Sequence, residues 1–386
     1  MNQTRKFVSD RVRVVPPSGI RKFFDMVIGM DDVISLGVGE PDFVTPWHIR
    51  EACIYSLEKG FTSYTSNAGL LELREAVSNS FQRDYGVNYD PVDQILVTTG
   101  VSEAADLALR AVVNPGDEVI VHEPSYVSYK PCIVFSGGNP VTVSTTRENE
   151  FRLTGAQLED AITPKTKAII LSYPNNPTGA VMGRKDFEEV ADVAVEHDLL
   201  VISDEVYDKL TYNGKHTCFS SLNGMDERTI LLNGLSKSHA MTGLRIGYAM
   251  GPPDIIKAML LIHQYTMLCA PITSQIGAIE ALNKGDSEMQ AMVREYNRRR
   301  KLFVTGLNEL GLDCFEPRGA FYAFPSVQST GMTSSQFAEE LLNQQKVAVV
   351  PGDVFGESGA GFLRCSYASG LDELKTALER IETFLG

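Results

Sequence analysis

The stretch 233–247, NGLSKSHAMTGLRIG, brings Ser236, Lys237 and Arg245 within ten residues, among glycines that let backbone approach a ligand closely. It continues an apolar run at 229–233, so Lys237 stands just beyond a strand end. A lysine placed there, partly desolvated and beside a second cation, can lose its proton and attack a carbonyl carbon as a neutral amine. A lysine in a loop is ordinarily a surface residue; here the surrounding pattern reverses that expectation. Several other familiar site patterns are excluded. Gly37-Val38-Gly39 runs into Glu40-Pro41-Asp42 outside any strand–helix turn, so it is not a dinucleotide fingerprint. There is no G-x-x-x-x-G-K-[ST] loop and no H-E-x-x-H, and SLEK at 56–59 lies in a helical pattern without its companion motifs.

The elements that would position such a lysine are readable. Segments 94–98 (QILVT), 118–122 (EVIVH), 167–172 (KAIILS), 199–203 (LLVIS) and 229–233 (TILLN) are apolar on both faces, as in a central parallel sheet covered by helices. Amphipathic stretches at 70–85, 102–113 and 185–197 alternate with them, which predicts a doubly wound α/β domain. From about residue 285 the pattern changes. A long charged helix spans 288–310 and stops at Gly311, and short strands and helices follow, ending in 371–385. The expected organisation is a large domain over 45–285 and a smaller α+β domain built from 1–44 together with 286–386. No repeat or flexible linker separates them, so a ligand cleft between the two is expected.

The 386 residues carry a net charge of −14, which argues against nucleic acid, since phosphate backbones need clustered Lys and Arg. The one basic run, Arg298 to Lys301, is expected to be a solvated helix face. Six scattered cysteines form no C-x-x-C pair, and His216 with Cys218 lacks a second pair to complete a metal site. They fit a reducing compartment. Residues 1–15 have no signal-peptide core, and no window approaches the roughly 18 apolar residues of a membrane span. A cytoplasmic, soluble protein without membrane, nucleic-acid or metal partners is expected.

The pattern Ser-Lys-[Ser/Thr]-x-x-x-x-Gly-x-Arg-x-Gly at 236–247 resembles the pyridoxal-phosphate (PLP) lysine signature of the class I/II aminotransferases. GEPDF at 39–43, NNPTG at 175–179 and SDEVY at 203–207 match the same family in the same order. The resemblance runs from about residue 18 to the C-terminus. It implies PLP as cofactor and the fold type I architecture, a large doubly wound, mostly parallel sheet domain plus a smaller α+β domain. Within the family the general pattern most resembles the aspartate, aromatic and N-acetyl-LL-diaminopimelate aminotransferases.

The resemblance also implies roles. Lys237 would hold the PLP aldehyde and shuttle the substrate proton. Asp204 would pair with the pyridine nitrogen, and Tyr207 and Asn176 would hydrogen-bond the ring oxygen. Gly100, Val101 and Ser102 at a helix N-terminus, with Ser236 and Arg245, would cradle the phosphate. Tyr64 of a neighbouring subunit would reach the same phosphate, which implies a homodimer. Tyr126 would stack on the ring. Arg364 would clamp the substrate α-carboxylate, Gly39 would meet it with a backbone amide, and Ile20 would touch the side chain. One departure is visible: Leu244 stands where many relatives carry Trp.

The implied reaction moves an amino group from an L-amino acid, aromatic or broad in preference with aspartate also open, to a 2-oxo acid such as 2-oxoglutarate by a ping-pong scheme. An N-acetyl-LL-diaminopimelate aminotransferase and a PLP-dependent β-lyase remain as alternatives. A ligand-sensing transcription regulator would carry an added N-terminal DNA-binding domain, for which a match beginning near residue 18 leaves no room.

Overall fold

The computed structural model describes residues 7–21, 27 and 29–386. Its centre is a seven-stranded sheet in the order Ile95–Thr98, Gly247–Met250, Thr229–Gly234, Leu200–Asp204, Thr166–Ser172, Glu118–Glu123, Asn139–Ser144. Six strands run parallel, and Gly247–Met250 alone runs against both of its neighbours. The five predicted strands are all present. Gly247–Met250 and Asn139–Ser144 were not anticipated, because one is four residues between glycines and the other is largely solvent-facing.

Both faces of the sheet are covered, which is why its strands are apolar throughout. Ile169, Leu171 and Val201 pack with Phe187 and Val190 of the helix Arg184–Glu196 on one side. Ile170, Ile202 and Ile230 pack with Leu107 and Ala108 of Val101–Val112 on the other. Truncating any of these buried isoleucines to alanine would cost roughly 2–5 kcal/mol.

The register puts the site on one edge. Ser172 pairs with Asp204 and Asp204 with Leu232, so the carboxyl ends of these strands align. Gly247 pairs with both Gly234 and Thr98. Because its strand is reversed, the residues just before it, including Arg245, emerge on that same edge. Gly247 is required there: a Cβ would meet the Val101 nitrogen at 2.6 Å.

A second body of structure follows. Tyr322–Ala323, Leu363–Ser366 and Val350–Pro351 form an antiparallel three-stranded sheet, and Ile34–Ser35 pairs with Val347–Ala348. The helices Asp286–Glu309, Ser334–Gln345 and Leu371–Leu385 pack Phe303, Leu307, Phe337, Leu341, Leu374 and Ile381 into one core. Thr333 caps the second of these helices by accepting from the Gln336 amide at 3.2 Å.

The basic run on the first helix is not a solvated face. Arg298 and Lys301 are exposed, but Arg299 and Arg300 are buried. Arg300 donates to Glu316 at 2.7 Å and lies over the Tyr212 ring. Arg299 donates to Asp42 at 2.8 Å and lies over the Phe43 ring, so it fastens the segment that carries Gly39. Charge spacing along one helix could not show these partners, which come from distant parts of the chain.

Candidate active site

The carboxyl edge of the sheet opens into a cavity of about 800 Å³, whose wall includes Lys237, Asp204, Tyr207, Asn176, Ser236, Arg245 and Arg364. Gly39, Val101, Ser102, Tyr126 and Ile20 line it too. A crevice outside the carboxyl ends of parallel strands is where open α/β sheets bind ligands.

Lys237 follows Thr229–Gly234, and its Nζ donates to the Gly39 carbonyl at 2.6 Å. Burial pushes its amine down to about 8, against the opposing charge of Glu40, with Arg364 and Arg245 adding to the depression. Asp204 is the last residue of its strand and is buried. It accepts from the Tyr129 hydroxyl at 2.7 Å and from the Val206 amide at 3.2 Å. Burial nevertheless raises its carboxyl to about 6. A carboxylate held this way is stabilised by a cation placed opposite it.

At one end of the cavity the helix Val101–Val112 begins, where backbone N–H groups have no partner within the helix. Gly100 turns the chain into it at φ +83°, and a Cβ there would meet the Arg245 guanidinium at 2.7 Å. Ser102, Ser236 and Arg245 line the same cavity, and a helix N-terminus with hydroxyls and a cation nearby is suited to cradling an anion. Leu244 is partly buried against the cluster around Met241 and Ile246, so an apolar contact fills the position behind the cradle.

At the other end Arg364 is buried, donating to Asn176 Oδ1 at 3.0 Å and to the Gly37 carbonyl at 2.5 Å. Among the described residues its buried Nε has no hydrogen-bond partner, and the residue lines the cavity. Tyr126 sets its ring edge-on to Tyr129 at 5.5 Å. Tyr64 is 82% exposed and does not line this cavity.

Several neighbours of these residues carry little signal in the sequence. Tyr129 supports Asp204. Tyr322 meets the Tyr207 hydroxyl at 2.8 Å. Glu103 accepts from the Thr99 amide just before the cradle, and is itself paired at 2.7 Å with the buried His263. Glu103, an acid in the first turn of a predicted helix, was the one legible signal among them.

The chain matches the family model described as aminotransferase class I and II over residues 31–381. It belongs to that family. A Bacillus subtilis protein provisionally named as the aminotransferase YugH is 52% identical over 379 residues, 98% of each chain. An aspartate aminotransferase of Pyrococcus abyssi is 47% identical over 381 residues, again 98% of each. The solved structure of an aromatic aminotransferase from Pyrococcus horikoshii matches with a TM-score of 0.90 at 45% identity, covering 95% of this chain and 98% of that one.

Class I and II aminotransferases of this fold use pyridoxal 5′-phosphate, and this aminotransferase is a PLP-dependent, amino-group-transferring enzyme. Its cavity fits the cofactor chemically. It offers an anion cradle for a phosphate, a buried carboxylate for a ring N–H, and a depressed lysine amine for an aldehyde. Among the described residues no helix is long and apolar enough to cross a membrane.

The depressed amine gives a testable pH dependence. Only neutral Lys237 attacks an aldehyde, so capture of added PLP by the cofactor-free protein should speed up as pH rises through about 8, then level off. Stopped-flow absorbance measures this directly. A rate still climbing beyond pH ~10, as for an ordinary lysine, would show that the amine is not depressed.

Proposed function

We propose that the residues gathered here divide the work of transamination. Bound PLP supplies an aldehyde that takes up the amino group and a ring that delocalises the electrons left at the substrate Cα. Lys237 Nζ holds the cofactor, takes the proton from Cα once released, and returns it. Asp204 keeps its negative charge against the ring nitrogen, with Tyr129 orienting the carboxylate. Tyr207 and Asn176 hydrogen-bond the ring oxygen, and Tyr126 covers the ring face. Gly100, Val101 and Ser102, with Ser236 and Arg245, hold the phosphate. Arg364 clamps the α-carboxylate, helped by the Gly39 amide, and orients the Cα–H bond toward Lys237. The observation that carries this reading is the meeting of Lys237, the buried Asp204, the helix N-terminus at Val101 with Arg245, and the buried Arg364 in one cavity.

The division into residues 45–285 and 1–44 with 286–386 belongs to the same proposal. It puts Arg364 on the smaller part and Lys237 on the larger, so closure of one on the other would complete the site. The enzyme acts as a homodimer in which Tyr64 reaches the neighbouring subunit's phosphate. Trp47, Tyr55, Phe61 and Tyr64 are exposed, as are Leu261, Tyr265 and Met267. Asn67 donates to the Leu268 carbonyl at 2.6 Å and so ties the two segments together. An apolar surface of this kind fits a subunit interface.

For substrate, we infer broad use of L-amino acids with aromatic side chains favoured. Ile20, Val38, Val127 and Tyr322 give the cavity an apolar wall, and Arg21 brings a cation to the same lining. A relative named for aspartate and a structure named for aromatic substrates lie at nearly equal identity, which supports breadth. The test is a comparison of kcat/KM for phenylalanine, tyrosine, aspartate, alanine and N-acetyl-LL-diaminopimelate with 2-oxoglutarate as acceptor. Phenylalanine and tyrosine should lead or match the rest. If both are turned over far more slowly than aspartate or alanine, the aromatic preference is wrong.

A further inference from the structure

Tyr322 is 1% exposed, lines the cavity, and touches three parts of the site at once. Its strand pairs antiparallel with Leu363–Ser366, with Tyr322 opposite Ser366, so Arg364 is its diagonal neighbour on the same face. The Arg364 guanidinium lies 4.7 Å from the centre of the Tyr322 ring. At the other end of the side chain, the hydroxyl is 2.8 Å from the Tyr207 hydroxyl. It also abuts the backbone that Lys237 contacts: a Cβ on Gly39 would meet the Tyr322 hydroxyl at 2.4 Å.

We propose that Tyr322 is a positioning residue with two separable parts, a hydroxyl that holds Tyr207 for the cofactor and a ring that holds Arg364 for the substrate carboxylate. This rests on the roles assigned above to Tyr207 and Arg364. When Tyr207 directs its proton at the cofactor's ring oxygen, its own oxygen is left to accept from Tyr322, and a donor that is itself hydrogen-bonded donates more strongly. A strong donor on the ring oxygen weakens that oxygen's hold on the proton of the lysine–cofactor linkage. The ring acts elsewhere. A guanidinium over an aromatic face is attracted to it and held in plane, in a buried place where that attraction is largest.

The test uses the PLP-loaded enzyme and the variants Y322F and Y322L, with two readouts. The first is the pH midpoint of the cofactor's absorbance change; the second is KM against kcat for phenylalanine. Y322F removes only the hydroxyl. Its midpoint should rise by about half a unit to one unit, with KM within about twofold of the parent because the ring remains. Y322L removes both parts. It should show the same midpoint shift and, in addition, a KM raised about fivefold or more.

A midpoint unmoved in both variants overturns the hydroxyl's role. A KM raised equally in both overturns the ring's role, because the phenyl ring of Y322F would then have preserved nothing. Y207F serves as the control on the underlying reading. If it leaves the midpoint unmoved, the assignment of Tyr207 fails and the hydroxyl part of this proposal fails with it. If Y207F shifts the midpoint and Y322F does not, Tyr322 alone is misassigned.

Discussion

Replacing Lys237 with alanine is expected to lower kcat for transamination by about 10⁴-fold, the upper range for loss of a positioned acid–base group, while the protein still folds and binds PLP. Folding should survive because, among the described residues, Lys237 makes a single hydrogen bond, to the Gly39 carbonyl, and it lines the cavity rather than the core. Binding should survive because the anion cradle at Gly100 to Ser102 and the Asp204 carboxylate are both untouched. The lost function is an amine at one place, so a small primary amine added to K237A should restore part of the rate. Steady-state kinetics with phenylalanine and 2-oxoglutarate, together with the absorbance of bound cofactor, measure both halves. A K237A enzyme within tenfold of the parent would remove this residue from the chemistry.

The second large effect is expected at Arg364. Its guanidinium is buried, partnered on two nitrogens by Asn176 and Gly37, with Nε left unmet. R364K keeps the charge but loses the planar fork that a carboxylate needs. The expected result is a fall in kcat/KM of about 10²-fold or more, in line with the roughly 2–5 kcal/mol measured when one partner of a buried charge pair is lost. The discriminating control is a donor lacking the α-carboxylate, such as a simple primary amine, tested in the same half-reaction. The parent should prefer the amino acid strongly, and R364K should have lost most of that preference. If the variant is impaired equally toward both, the arginine serves the fold rather than the substrate.

Much of the site was legible because the sheet made it so. Apolar runs of five or six residues announced the strands, and their ends announced where Asp204 and Lys237 had to sit. Arg364 was readable from its local motif and the family resemblance together. The strand Gly247–Met250 was not, since four residues flanked by glycine carry no period. Yet its reversed direction is what brings Arg245 to the carboxyl edge of the sheet. Tyr322 opens a two-residue strand at the end of the GAFY segment at 319–322, where an aromatic reads as core. The Glu103–His263 pair joins residues 160 positions apart, and no pattern on either helix points to the other. Arg299 and Arg300 failed for the same reason: a helix face records its own charges and not the partners that arrive from elsewhere. Periodicity finds elements and the residues at their ends, whereas contacts between distant side chains become visible only when the chain is folded.

The claim on which everything else depends is that this cavity takes an amino group onto its own cofactor. The most direct measurement mixes the PLP-loaded enzyme with a single L-amino acid and no acceptor, and follows cofactor absorbance while 2-oxo acid and ammonia are assayed. The absorbance band should be lost, one 2-oxo acid should appear per active site, no ammonia should be released, and added 2-oxoglutarate should restore the band. Continuous release of pyruvate and ammonia from a β-substituted amino acid, with the band never converted, would contradict the claim and make the enzyme a lyase.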